Sequence, residues 1–470
     1  MNSTTKWFAP LLLGLTLFGC GSSSSDSNET AYFQLYNASP NSPDLTITLT
    51  DSDDDEFTYS NISFPDASGY FSLETRHYDY TISWEDTNND LIDIHQSSLD
   101  IIKDQLQLLV VTGDINVPQV AQYGIEIEDL DEDEYDDMFA LRFLNINTTA
   151  QTLDVYIADI DETFEQAVLL TQVDHESLTD SVYLDIDDYK VFITKENDDE
   201  VLYESAEITF YSSTQYIIIA RDNAGAGTSP LTLDRLTTSS GAIEYPDVTA
   251  EVKFNVYNAL GLHELLPENC GVLDIDVHSL NIQFDINELA FGELSEQFIA
   301  EEGDYTLNFY DTATGTMIDN NHLFSLEADQ NRTVFVYSRE YEGDPDKDEQ
   351  DWLEVHSLAV DHSQRQSIYD HKMATVNFVD EYSYVTYYFV LPNETIDTAS
   401  YSVSVNFGSS KEVLLPNAEY LIYAVAEEYN TQLILDTIEL TLDENSGEYF
   451  LLIEETPDTS SGFTMSHFLQ

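Results

Sequence analysis

Positive charge is what this sequence has least of. Fifteen Lys and Arg stand against ninety Asp and Glu in 470 residues, a formal net charge of −75 at pH 7. Holding a phosphate backbone requires a cationic footprint, so nucleic acid is a poor partner, and direct attraction to anionic headgroups is equally disfavoured. Cysteine is almost missing. There are two, Cys20 and Cys270, so these domains are expected to hold by packing rather than by a disulfide staple. Long apolar runs are missing too, apart from residues 7–18, whose twelve residues would rise about 18 Å as a helix, too little for a bilayer core. There is no sustained helical periodicity. No nucleophile elbow, phosphate-cradling glycine loop or zinc-protease helix is found; His263-Glu264 is followed by Leu265-Leu266-Pro267, without a second His.

What the chain has instead is aromatic weight, 30 Tyr and 24 Phe, which separates it from a disordered acidic polymer. It also has repetition. Phe33-Gln34-Leu35-Tyr36-Asn37 returns as Leu141-Arg142-Phe143-Leu144-Asn145, Phe254-Asn255-Val256-Tyr257-Asn258 and Val376-Asn377-Phe378-Val379-Asp380. The closing positions lie 108, 113 and 122 residues apart, one small domain per repeat. A second landmark puts an acid before a tyrosine: Asp79-Tyr80, Asp188-Tyr189, Asp304-Tyr305 and Glu419-Tyr420. A third is a continuous apolar run at residues 106–111, 216–220, 333–337 and 449–453, read as central strands buried on both faces. About seven short strands per module, with turns between them, predict an all-β chain of four tandem immunoglobulin-like antiparallel β-sandwiches. The modules are placed at 31–130, 138–236, 250–358 and 373–470. Short joints between them predict a semi-rigid string.

Residues 1–19 read as a lipoprotein signal peptide. Leu17-Phe18-Gly19-Cys20 resembles the lipobox of bacterial lipoproteins, which implies acylation of Cys20, and residues 20–30 form the lipidated Cys and a flexible polar tether. Gly21 after the Cys favours an outer-membrane destination, with the membrane as partner through N-terminal lipid. Tyr36-Asn37-Ala38-Ser39-Pro40 with Asp44-Leu45-Thr46-Ile47, and Leu289-Ala290-Phe291-Gly292 through Gly303-Asp304-Tyr305, resemble the bacterial domain of unknown function 4397. That resemblance implies a secreted or surface protein and no catalytic residue.

The acids carry two readings, a hydrated surface and a divalent-cation site, and the first is preferred. Asp51/Asp53/Asp55, Asp129/Asp131/Asp133 and Asp344/Asp346/Asp348 each start like a calcium loop, but Glu56, Glu134 and Glu349 stand where the loop needs Gly. If calcium binds anywhere, the expected ligands are Asp131, Asp133, Asp136 and Asp137 at the first joint. Asp274, Asp276 and His278 would share one face of a strand, a pattern also expected of a solvated face. His356, His362 and His371 lack ligand spacing. The expected function is a non-catalytic, monomeric surface binding, adhesion or spacer protein, with an extracellular polymer or protein as ligand and no cofactor. The alternative is a hydrolase of an extracellular polymer using carboxylates or a metal.

Overall fold

The computed structural model describes residues 30–88, 90–130, 135, 137–237, 241–280, 282–343, 350–429, 431–457 and 459–470. Residues 1–29, which hold Cys20 and the expected signal peptide and tether, lie outside the described residues, as do Asp131, Asp133, Asp136, Asp344, Asp346 and Asp348. Among the described residues no helix is long and apolar enough to cross a membrane.

The first module shows the plan. Its strands are β1 (Thr30–Asn37), β2 (Leu45–Asp51), β3 (Glu56–Ile62), β4 (Phe71–Glu74), β5 (His77–Glu85), β6 (Leu91–Asp100), β7 (Gln105–Thr112) and β8 (Gln119–Glu126). They form two facing sheets, β4-β1-β7-β8 and β3-β2-β5-β6. The strand count is eight rather than about seven. One pair, β1 with β7, is parallel, and the strands carrying the repeat and the apolar run pair the same way in the other three modules. The four tandem modules are thus immunoglobulin-like β-sandwiches with one parallel pair each.

The continuous apolar runs have a physical reason beyond a central position. In β7, Leu109 and Val111 enter the module's own core, while Leu106, Leu108 and Val110 face the other way and pack on Leu144, Ile217 and Ile219 of the second module. In the third and fourth modules Val334 and Leu451 point inward, whereas Phe335 and Phe450 meet each other across the inter-module face, with ring centroids 5.3 Å apart. Apolar residues on both sides of one strand therefore mark a sheet between two cores. The sheets pair modules one with two and three with four.

The same registers correct two landmarks. The fourth repeat closes on Asn377, not Asp380. Asn37 pairs with Val111, Asn145 with Ala220, Asn258 with Val336 and Asn377 with Ile453. Each of these amides donates to a carbonyl of the facing sheet at 2.9–3.3 Å and accepts from the N–H two residues on. Met373-Ala374-Thr375-Val376 precedes that Asn, without the aromatic residue that marks the repeat in the other three modules. In the first module the repeating tyrosine is Tyr78. Its hydroxyl donates to the carbonyl four residues upstream, as Tyr189, Tyr305 and Tyr420 do. Tyr80 lies two residues on, on the same face, and contacts His95 instead.

The joints are not those of a string. Residues 242–245, read as part of a joint, form a strand paired with Leu231–Leu236. Asp329 of the third module accepts hydrogen bonds from Gly227 N at 2.6 Å and Asn223 Nδ2 at 3.1 Å in the second. A Cβ on Gly225 would lie 1.7 Å from Asp329 Oδ2, so only glycine permits that approach. The joint leading to the fourth module returns to the first, where Gln366 N donates to Pro40 O at 3.1 Å and Tyr369 stacks on Trp84 at 4.4 Å. A cavity of about 610 Å³ is lined by residues of all four modules, among them Asp44, Glu244, Asn331 and Glu412.

Cys270 is free and exposed. Reducing agent, or Cys270→Ser, is expected to leave the thermal midpoint unchanged within the scatter of a surface substitution, about 0.5 kcal/mol; a scan with and without reductant checks this.

Candidate functional site: the cleft between the third and fourth modules

The two inter-module faces bury different polar groups at corresponding places. Between the first and second modules, the hydroxyl of Tyr36 donates to Asp234, and Arg221 donates to Asp234 Oδ2 and Glu244 Oε1, both at 2.6 Å. Arg221 and Asp234 are almost fully buried, and the guanidinium lies over the Phe64 ring of the first module at 5.2 Å. The guanidinium offsets the charge of Asp234, which is how a buried pair is tolerated, and Asp234 Oδ1 is left without a partner.

Between the third and fourth modules the strand registers place Glu454 where Arg221 stands, one residue after the partner of the repeat asparagine. Ser466, paired with Leu452, takes the place of Asp234, paired with Ile219. Glu454 is 5% exposed. Its Oε2 accepts from the hydroxyl of Tyr257 at 2.8 Å, while Oε1 has no partner. Burial pushes its carboxyl up to about 7.

Glu454 lines a cleft of about 1000 Å³ between the two modules. Leu262, Phe291, Leu353 and Phe378 give apolar walls, and no Lys or Arg is among the described lining residues. Glu455, raised by burial, spends Oε1 on the backbone N–H groups of Asp380 at 2.9 Å and Glu381 at 3.4 Å. Asp380 accepts from Glu340 N at 2.6 Å and faces Arg339 at 3.8 Å. His263 at the cleft lies 3.4 Å from Glu340.

The residues singled out from sequence lie elsewhere. Of the calcium set only Asp137 is described; its carbonyl accepts from Ile186 N at 2.8 Å. Among the described residues no three His, Cys, Asp or Glu are grouped to hold a metal ion. Asp51 binds the turn after β2, accepting from Asp53 N and Asp55 N and meeting Arg76 at 2.5 Å. Asp274 accepts from Glu288 N and Thr312 Oγ1. His362 is brought down to about 4 by burial and bonds Asn331 and Thr333, both at 2.8 Å. His371 is lowered by burial and bonds Asn417 and the Asp443 carbonyl. His356 stacks on Tyr337. The three histidines serve separate contacts. Sequence reasoning missed Arg221 and Glu454; the signal was a charge directly following an apolar strand run.

Residues 31–156, the first module and the opening strands of the second, match the family described as Domain of unknown function (DUF4397). No curated protein matches the chain. Among solved structures, the Bacillus anthracis TIE protein is similar at 9% identity and TM-score 0.16, covering 93% of this chain and 76% of its own. BcpA, the major pilin subunit of Bacillus cereus, is similar at 7% identity and TM-score 0.14, covering 90% and 98%. The chicken CNTN1 FN1-FN3 domains are similar at 12% identity and TM-score 0.12, covering 63% and 91%. Likeness at this level assigns neither ligand nor activity.

Proposed function

We propose that the chain is a non-catalytic cell-envelope lipoprotein, anchored at the outer membrane through acylated Cys20, that presents its four sandwiches as a rigid surface binding or spacer body. The observation that carries the reading is how the buried polar groups are spent. Asp234 accepts from Tyr36 and Asp329 from Asn223 and Gly227, each between two modules, Arg221 holds Asp234, and Glu455 ties a loop of its own module. The hydrolase alternative is favoured by one feature, the raised carboxyl of Glu454 at a cleft. Glycoside hydrolysis needs a second free carboxylate as base or nucleophile. The two carboxyls next to it, Glu455 and Asp380, are both engaged with backbone amides, which counts against that alternative.

Cys20→Ala is expected to release the protein from the membrane fraction; unchanged fractionation would reject the anchor. The mature chain incubated with extracellular polymers should co-sediment with a ligand without shortening it. New polymer ends that vanish in a Glu454→Gln variant would overturn the non-catalytic reading.

A further inference from the structure

The first pair of modules supplies a guanidinium to its buried carboxyl; among the described residues the second pair supplies Arg339 to Asp380 and no cation to Glu454. Arg221 brings a guanidinium between Tyr36, Asp234 and Glu244. The corresponding tyrosine, Tyr257, meets a carboxyl at the place of that guanidinium, and no Lys or Arg accompanies it among the described lining residues. One buried polar atom there lacks a partner, Glu454 Oε1. A carboxyl left half-satisfied in an apolar face is costly, and Glu454 lines a cleft whose volume suits a small organic molecule.

We propose that this cleft binds an organic cation, an ammonium or guanidinium group on an apolar stem, whose head takes at Glu454 the place that the Arg221 guanidinium takes in the first pair. N–H donors and positive charge would satisfy Oε1 together, the stronger kind of hydrogen bond. Leu262, Phe291, Leu353 and Phe378 would cover the stem, as apolar surface covers the stem of a lysine or arginine. A bare metal ion fits less well, because Asp380 and Glu455 accept from backbone amides and no three His, Cys, Asp or Glu are grouped to hold a metal among the described residues. The assignment goes beyond the anchoring reading and stands whether or not Cys20 is acylated.

Binding should be linked to proton release. Glu454 is held near 7 by burial, so a cation arriving at pH 6 must displace its proton, whereas at pH 8 it meets a carboxylate. Other groups face this place. Tyr257 and Tyr387 are phenols kept protonated by burial. Glu455, Asp380 and Glu340 line the cleft, Arg339 reaches Asp380, and His263 lies beside Glu340.

The test is calorimetric titration of the mature chain with agmatine, with cadaverine, and with a blocked Ala-Arg-Ala peptide, at pH 6 and pH 8 in buffers of different protonation enthalpy. Pentanol serves as the neutral comparison. The expected result is one-to-one binding of a cation but not of pentanol, weakened about tenfold from pH 8 to pH 6 with about one proton released at pH 6. Glu454→Gln should bind at least tenfold more weakly at pH 8. Tighter binding of the peptide assigns the cation to a protein segment, and tighter binding of the free amines to a small metabolite; either supports the site. No binding of any cation at pH 8, equal binding by Glu454→Gln, or binding by the unmodified chain at pH 6 without proton release would overturn it.

Discussion

Glu454→Gln should make the chain more stable at pH 8 and leave it nearly unchanged at pH 5. The folded state holds this carboxyl up at about 7, against an ordinary value of 4.5. Below 4.5 both folded and unfolded states carry the proton and no penalty exists. Between 4.5 and 7 the unfolded chain loses the proton first, so stability falls as pH rises through that window and is level above it. The full difference corresponds to about 3 kcal/mol, at about 1.4 kcal/mol per pH unit. Glu448, also raised by burial to about 7, adds a loss of the same sign over the same window. The amide introduced by the substitution keeps an acceptor for Tyr257 and carries no charge to desolvate. Urea unfolding of both proteins at pH 5, 6, 7 and 8 checks this. Parallel curves for the variant and the parent would place the pH dependence elsewhere.

The second large effect lies at the first pair. Arg221→Met should destabilise the chain by about 3–5 kcal/mol, because it strips the guanidinium from Asp234 and leaves that carboxylate buried against Tyr36. Methionine fills much of the same volume, so the loss reports charge rather than a cavity. The paired change Arg221→Met with Asp234→Leu should recover most of it, since removing both ions removes both desolvation costs. Denaturant unfolding of the two variants separates these outcomes. A single variant as stable as the parent would mean that Asp234 simply takes up a proton.

The sandwich class was legible in this sequence because core alternation and doubly apolar strands are imposed by burial, and burial writes itself in residue type. Leu106-Gln107-Leu108-Leu109-Val110-Val111 could be read as buried on both sides before anything was known of what lay there. That the second side is another module is a tertiary fact with no local signature. Register was legible only where a large side chain marked it. Met373 and Thr375 replace the Phe33 and Leu35 of the first module, and the fourth repeat slipped accordingly. Tyr78 and Tyr80 share a face, and pattern alone cannot say which hydroxyl finds the carbonyl at Glu74. The candidate site was not legible. Arg221 and Glu454 sit at equal positions with opposite charge, and only the pairing of Asn145 with Ala220 and of Asn377 with Ile453 reveals that they correspond. The acids that the calcium-loop pattern marks include Asp51, which braces a turn.

The even number of strands in the first and third modules carries a geometrical consequence. With β7 parallel to β1 and β8 antiparallel to it, the chain leaves the first module at the pole by which it entered: Tyr32 lies beside Leu106, and Leu106 beside Ile125. The third module does the same, with Phe254 beside Arg332 and Arg332 beside Asp361. A chain that exits where it entered is turned back on itself, so the next module is laid alongside instead of beyond. In the second module Leu231–Leu236 is followed by a further antiparallel strand, Ala242–Tyr245, and that extra pass carries the chain to its far pole before the third begins. Parity thus decides which neighbours lie flank to flank, one with two and three with four. A longer chain of the same design would broaden by pairs and gain reach only where an odd strand intervenes.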